Sequence, residues 1–351
     1  MDMSRLILRE MKDGEQKALQ KLGQKSFPLL EGWFVGMPKA AMVAEYEGNA
    51  IGCMMYKFVL AGKKKIAYID QAFVDPAFHG MGVARRLYTE TFQHIWEQGC
   101  DGITALVKDD NVGSWKPCMN NGFRRVSVPE AVKQLGFGGL LRLCLVTPLA
   151  LGVGMDFDLV MKDVPLQNKQ GGIRQALAFF LVNLLFAAPL WIRLAVMSPE
   201  RLVPSLLAFL TVLALLLLPR LLMAVCRREA WRFRFNNCGG LIPFILSLMG
   251  NVFPMNANWY PDVYENSSAF LKRMAIPELI KWALFLPLPL LALLPGLYWR
   301  ALSQISSYIL LFSVLPLYPF EAFGAGRVFR YSKVLWAITA ALTLLALIFL
   351  Y

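Results

Sequence analysis

The sequence predicts an α+β domain, a mixed twisted sheet with flanking helices, followed by an all-α polytopic membrane domain. Three observations predict it. Residues 1–163 alternate short apolar strands with amphipathic helical stretches and carry 20 Lys/Arg against 18 Asp/Glu. Residues 164–351 carry 16 against 6 and hold long apolar runs, which lift the chain to 57% hydrophobic and to a mean hydropathy of +0.48, above ordinary soluble proteins. Finally, Phe73 to Ala84, FVDPAFHGMGVA, sets a strand, a proline and a glycine-spaced turn directly before an amphipathic helix.

In chain order, apolar alternation predicts a strand over Leu6 to Glu10, a helix over Glu15 to Lys25, and strands over Ala41 to Tyr46, Ile51 to Val59 and Lys65 to Val74. The main helix follows over Val83 to Gln98, then a strand over Gly102 to Lys108, a short helix after Asn111, and strands over Phe123 to Val128 and Met155 to Lys162. Between the last two lies an apolar insertion, residues 129–154, whose only positive charges are Lys133 and Arg142. Residues 164–174 read as a linker. The domain boundaries are thus 1–163 and 175–351.

The turn at Gly80 and Gly82 builds an anion-binding loop. A helix starting there presents unpaired N–H groups and the positive end of its dipole, which suits a pyrophosphate, and glycine lets the backbone approach closely. A strand-to-helix turn also needs glycine for steric reasons alone. The run that follows adds three signals in order: Asn111, Ser114 and the pair Gly122-Phe123. Together they resemble the acyl-CoA-binding core of the GNAT family of N-acyltransferases, whose pattern is a strand ending in Val-x-Pro, then Arg/Gln-x-x-Gly-x-Gly/Ala, then Asn, then Gly-Phe. Here His79-Gly80-Met81-Gly82-Val83-Ala84 is the glycine motif, with His79 at the position of the family's Arg or Gln. The resemblance covers residues 4–163.

That resemblance implies that the strand ending at Val74 and the one starting at Gly102 splay apart around a thioester. Backbone groups near Phe73 and Val74 would hold the acyl carbonyl and pantetheine. The amides of His79, Gly80, Met81, Gly82, Val83 and Ala84 would hold the pyrophosphate, with Asn111 and Ser114 beside the pantetheine arm; capping of the short helix is the other role open to Asn111. The implied reaction is transfer of an acetyl or other acyl group from acyl-CoA to an amine. It needs a base or water path for the ammonium proton and often an acid for the thiolate. Asp70, four residues before Val74 and on the same sheet face by period-two alternation, is the candidate base; an Asp paired with Lys is the structural alternative. The family's acid is a Tyr four residues after the Ser/Ala, and that count lands on Cys118, a weaker donor or a packed residue.

In the second half, apolar runs over Gln175 to Val196, Leu202 to Cys226, Pro277 to Trp299, Leu302 to Tyr318 and Lys333 to Tyr351 read as five spanning helices. A sixth run within 240–253 is too short to span and reads as a re-entrant segment. Arg174, the cluster Arg220, Arg227, Arg228, Arg232 and Arg234, the pair Lys272 and Arg273, and Arg327, Arg330 and Lys333 can share one side. This pattern predicts a cell-membrane protein with its first domain cytoplasmic, its C-terminus outside and no cleavable signal peptide, and it accounts for the net charge of +12 without nucleic acid. The six cysteines lack C-x-x-C spacing, which predicts free thiols.

Residues Ala224 to Phe233, the 240–253 run and PLYPFEAFGAGRVFRYSKVLW look like the membrane core of archaeal-type site-2 intramembrane metalloproteases. Aligned on Ala224 and Phe233, that family's H-E-x-x-H positions fall on Leu216, Leu217, Leu218, Pro219 and Arg220; aligned on Arg327-Val328-Phe329-Arg330, its Asp ligand falls on Gly324. The only histidines, His79 and His94, precede the membrane half, so no metal and no proteolysis is expected. A helical anchor with Pro/Gly breaks is the plainer reading. Two functions follow: a membrane-anchored N-acyltransferase using acetyl-CoA or another acyl-CoA, or a non-catalytic acyl-CoA-sensing membrane regulator. The insertion either docks the two domains or draws a hydrophobic amine, of a lipid or a membrane peptide, from the bilayer.

Overall fold

The computed structural model describes residues 2–27, 32–107, 111–146, 156–166, 173–227, 231–235, 240–255, 257–261, 265, 267–316 and 324–348. Lys108, Met155, Arg228, Tyr318, Tyr351, residues 147–154 of the insertion and 167–172 of the linker, all named above, lie outside them. The chain divides into two compact units: Met1–Pro148 with Asp156–Lys169, and Leu149–Met155 with Gln170–Tyr351.

Among the described residues, the first unit holds one sheet of seven strands: β1 Leu6–Glu10, β2 Ala40–Tyr46, β3 Asn49–Ala61, β4 Lys64–Val74, β5 Gly102–Val107, β6 Arg124–Arg125 and β7 Asp156–Met161. Their order is β1-β2-β3-β4-β5-β7-β6, antiparallel throughout except for β4 beside β5. The helices are α1 Gln16–Ser26, α2 Val83–Glu97, α3 Val112–Asn120, α4 Val128–Leu135 and α5 Phe137–Val146.

One face of the sheet is covered by α2, whose Val83, Leu87, Tyr88, Phe92 and Ile95 recur at helical spacing and pack with Met54, Tyr56, Ala67, Ile69 and Val74. The other face holds two clusters: Leu19 of α1 with Val43, Cys53, Met55 and Phe73, and Leu135 and Leu143 of α4 and α5 with Val59, Ala61, Ile66 and Tyr68. Arg9 of β1 ties this frame together through Glu45, at 2.6 Å, and Glu15, at 2.6 Å. The Arg9 guanidinium holds the Glu15 carboxyl down at about 2.

Two expectations are corrected. The strand over Phe123 to Val128 shrinks to the two residues of β6, because Ser127 caps α4 by accepting a hydrogen bond from the Glu130 amide and Pro129 sits in the first turn. Ser127-x-x-Glu130 is a capping signature with proline just inside the helix, and it turns the start of the insertion into helix. Second, β4 does not keep strict alternation. Its register with β3 passes from Met55↔Gln71 to Tyr56↔Ile69, leaving Asp70 as the extra residue of a β-bulge.

Among the described residues, the second unit is helical with one two-stranded ladder, β8 Trp231–Phe235 with β9 Ala257–Pro261. Its helices are α6 Ile173–Phe186, α7 Ala188–Met197, α8 Pro199–Arg227, α9 Leu241–Leu248, α10 Ser268–Phe285, α11 Leu297–Val314, α12 Ala325–Tyr331 and α13 Lys333–Ile348. Among the described residues, two stretches are long and apolar enough to cross a membrane, Pro199–Pro219 and Ser268–Leu293. The pair Arg174–Phe186 and Ala188–Met197 qualifies jointly but bends by 50°. The other two expected spans fall short for different reasons: α11 carries Arg300, Gln304 and several serines, and α13 is described over only 16 residues. The run at 240–253 forms the eight-residue α9, a turn at Met249 and Gly250, and then a stretch without regular secondary structure.

Polar side chains lock these helices. The Asn183 side-chain oxygen accepts from the Met255 amide at 2.6 Å, and Trp282 Nε1 donates to Thr343 at 2.8 Å. The least expected feature is a buried ion cluster. On α10, the Lys281 ammonium lies 2.6 Å from the Glu278 carboxylate, whose other oxygen lies 3.5 Å from the Arg327 guanidinium of α12. All three are at most 4% exposed. The cluster packs on Gly324, which has φ +109° and where a Cβ would overlap the Glu278 carboxylate.

Candidate functional site

The site of the first unit begins where β4 and β5 part. Their parallel ladder runs from Ile66↔Gly102 to Ile69↔Ala105 and ends there, although β4 continues to Val74 and β5 to Val107. The facing edges beyond Ile69 and Ala105 offer N–H and C=O groups with no partner in each other, which is what an amide-bearing, extended ligand needs. Phe73 and Val74 lie on this free stretch, Val74 packed toward α2 and Phe73 toward α1.

After Val74 the chain makes a tight corner. Asp75 accepts a hydrogen bond from the Ala77 amide at 3.0 Å and pairs with Lys25 at 3.0 Å, and these contacts hold its carboxyl below the usual carboxylate range. His79 is not part of the anion seat in the way its position suggests. Its amide donates to the Pro76 carbonyl at 3.2 Å, and its ring Nε2 donates to the Val74 carbonyl at 2.9 Å. The histidine is a brace that fixes the end of β4.

The candidate anion seat runs from Gly80 to Ala84. Gly80 and Gly82 have φ of +77° and +84°, and Gly82 is the N-cap of α2 with no side chain capping it. The first helical turn has no acidic residue, and its first backbone bond runs from the Arg86 amide to the Gly82 carbonyl at 3.2 Å. The amides of Val83, Ala84 and Arg85 therefore precede the helical ladder and face outward with the positive end of the dipole. Gly80, Met81, Gly82 and Ala84 are exposed, whereas Val83 is buried and anchors the turn.

Asn111 caps α3: its side-chain oxygen accepts from the Ser114 amide at 3.2 Å, and its Nδ2 donates to the Ser114 hydroxyl at 3.1 Å. Ser114 also lies beside the phenol of Tyr88, a residue of α2 that the spacing argument missed because its position reads as helix core. Cys118 is 2% exposed in the same cluster. Burial, with Asp158 nearby, pushes its thiol far up, and burial pushes the Tyr88 phenol up likewise. A donor that holds its proton so firmly is a poor match for a departing thiolate.

Asp70 is the site of a correction. The bulge cancels the period-two count that put it on the face of Val74. Its carboxylate pairs with Lys57 at 2.5 Å, and the ladder neighbours of Lys57, Met55 and Val59, pack in the clusters opposite α2. Both members of the pair are 27% exposed, so the carboxylate is reachable. Beside this face lies a loop that sequence reasoning did not single out. Its Phe34 carbonyl accepts from Gln71 at 3.2 Å, its Val35 carbonyl accepts from Gln20 at 2.9 Å, and Trp33, Phe34 and Met37 are exposed.

Among the described residues, no group of three or more His, Cys, Asp or Glu is placed to hold a metal ion. No curated protein matches the chain. Several solved structures are similar to part of it. They include the ribosomal-protein-S18-alanine N-acetyltransferase of Escherichia coli, at 17% identity over 35% of this chain and 79% of that one, TM-score 0.30. A GNAT family acetyltransferase of Brucella melitensis in complex with acetyl-CoA has 15% identity over 46% and 92%, TM-score 0.32. YhbS of Escherichia coli in complex with CoA has 22% identity over 34% and 69%, TM-score 0.29. The family model described as acetyltransferase (GNAT) family matches residues 7–123, the stretch that holds the splayed strands, the glycine turn and α3. Residues 7–123 are therefore a GNAT acetyltransferase domain.

Proposed function

We propose that the chain is a membrane-anchored N-acyltransferase that moves an acetyl or other acyl group from acyl-CoA to an amine. The observation that carries this is the uncapped start of α2 directly beyond the splayed end of β4. The residues present fit acyl-CoA: the amides of Val83, Ala84 and Arg85 suit the pyrophosphate, the free edges of β4 and β5 suit the pantetheine amides, and Asn111 and Ser114 border that slot. The solved relatives from Brucella melitensis and, for YhbS, Escherichia coli are complexes with acetyl-CoA and CoA.

In this reading Asp70 takes the proton from the incoming ammonium. The amine nitrogen bonds to the thioester carbon, a strand N–H near Phe73 or Val74 stabilises the carbonyl oxygen, and the C–S bond breaks to release CoA thiolate. The bulge puts Asp70 opposite the α2 side from which acyl-CoA enters, so the two substrates meet from different faces. The rim of Trp33, Phe34 and Met37 on that side favours an apolar acceptor, such as a lipid amine or a membrane-peptide amine. Cys118 stands at the family's acid position, and we assign it to packing.

One experiment separates these roles. Asp70→Asn lowers kcat about 100-fold or more while acetyl-CoA binding is kept, whereas Cys118→Ala changes kcat less than about 3-fold. A large loss in Cys118→Ala with Asp70→Asn unaffected would reverse the assignment. Cys118 in place of the family's Tyr favours a second reading, an acyl-CoA sensor, which requires binding without turnover over any amine.

The second unit is proposed to sit in the cell membrane through Pro199–Pro219, Ser268–Leu293 and the bent pair, with the transferase unit cytoplasmic, where acyl-CoA is found. We also propose that it keeps the outline of an intramembrane metalloprotease without its chemistry. Gly324, at the Asp-ligand position, leaves its space to Glu278 and Lys281, and Leu216 and Leu217, at the first two motif positions, are buried apolar residues.

A further inference from the structure

Helix α5 is apolar on both sides. Leu143 is buried, with Leu140 and Val146 partly so, against Val59, Ala61, Ile66 and Tyr68 of the sheet. Phe137, Leu141 and Leu145 are 73%, 50% and 71% exposed, and their spacing of four sets them in one stripe on the opposite side. Such a stripe in water is a liability unless something apolar covers it.

Its border is cationic. The Arg142 guanidinium donates to the Leu60 carbonyl at 3.3 Å, and the Lys64 ammonium donates to the Gln134 carbonyl at the end of α4 at 2.7 Å. These bonds bring the β3–β4 hairpin tip, with exposed Lys63 and with Leu60 56% exposed, beside the stripe. Residues 61–65 and 128–146 together hold Lys63, Lys64, Lys65, Lys133 and Arg142 against the single acid Glu130, and Glu130 is engaged by Gln134 at 3.0 Å.

We propose that this face is a bilayer-binding surface. The α5 stripe lies in the headgroup and acyl boundary of an anionic membrane, with Lys63, Lys133 and Arg142 at the level of the lipid phosphates. Apolar residues on one stripe with cations along its edge are the composition of an interfacial helix, and the charge balance matches an anionic leaflet rather than an acidic or neutral protein groove. This inference rests on the reading of the chain as membrane-anchored, which keeps a bilayer at hand. It deepens that reading, because α5 covers the same sheet face that carries Asp70, so an acceptor amine would reach the base from the leaflet.

The test uses the full chain in lipid nanodiscs, with benzoylphenylalanine in place of Leu141 or Leu145, and in place of exposed Thr89 on the opposite face as control. Incorporation into the discs is read by size exclusion and acetyl-CoA binding by calorimetry on the same samples, so loss of either reading shows separately from loss of this one. The expected result is photo-adducts to lipid at both α5 positions, about 10-fold above those at Thr89, falling when phosphatidylglycerol is replaced by phosphatidylcholine. Adducts to the protein's own second unit would show that α5 docks the two units, and lipid adducts no higher than at Thr89 would show a solvent-facing helix. Either result overturns the proposal.

Discussion

Gly82→Glu abolishes acyl-CoA binding while leaving the first unit folded. Gly82 is exposed, and nothing but the tip of the Met3 side chain, 3.8 Å away, lies near the space a Cβ would take. The substitution therefore creates no core clash. Its φ of +84° costs an L-residue about 1–2 kcal/mol, a loss a sheet of this size tolerates. A carboxylate at the N-cap also gains from the helix dipole and can accept from the same amides of the first turn. It thus occupies the anion seat from within the chain, and a pyrophosphate meets both a filled site and a like charge. Affinity is expected to fall at least about 100-fold by calorimetry, with Gly82→Ala falling much less. Equal losses in both variants would mean that backbone conformation alone, and not the anion seat, sets affinity.

The second large effect lies in the other unit. Glu278→Ala leaves the Lys281 ammonium and the Arg327 guanidinium buried together without the carboxylate between them. Removing one charge from such a buried cluster costs about 3–5 kcal/mol, because the charges it was paired with stay buried rather than because the pairs themselves are strong. For a unit of this size that amounts to a fall in Tm of about 10 °C. Gly324→Ala attacks the same place from the backbone side, forcing a Cβ into the carboxylate at a left-handed φ of +109°, and is expected to destabilise comparably. Scanning fluorimetry of the detergent-solubilised chain reads both. A shift under about 2 °C in Glu278→Ala would show that water or lipid headgroups reach the cluster and screen it.

How much of this was legible follows from which features are local. The alternation of β1 to β5, the amphipathic α2 and the glycine turn are short-range patterns, and each stands within a residue or two of its expected place. The turn before α2 was legible for the same reason, since positive φ at Gly80 and Gly82 followed by an uncapped helix is written in a dozen consecutive residues. What the sequence hid depended on register or tertiary contact. The bulge at Asp70 arises from how β3 and β4 pair, and no feature of FVDPAF or of the strand before it announces an extra residue. The use of the His79 amide and ring inside the corner at Pro76 was equally invisible. The missed α4 was different: Ser127, Pro129 and Glu130 are a capping signal in plain view, masked by the apolar run around them. In the second unit, hydropathy marked the runs but not that Ala187 breaks the first of them or that Glu278, Lys281 and Arg327 meet.

If acyl-CoA bound at the start of α2 gives up its acyl group to an amine, the most direct measurement is CoA thiol release by the full chain in lipid nanodiscs. Acetyl-CoA is supplied with a panel of lipid and peptide amines, and Gly82→Glu runs alongside. The expected result is amine-dependent release that Gly82→Glu abolishes, with membrane-borne amines as the better acceptors. Tight acetyl-CoA binding with no release over the whole panel would contradict it and leave a sensor in place of an enzyme.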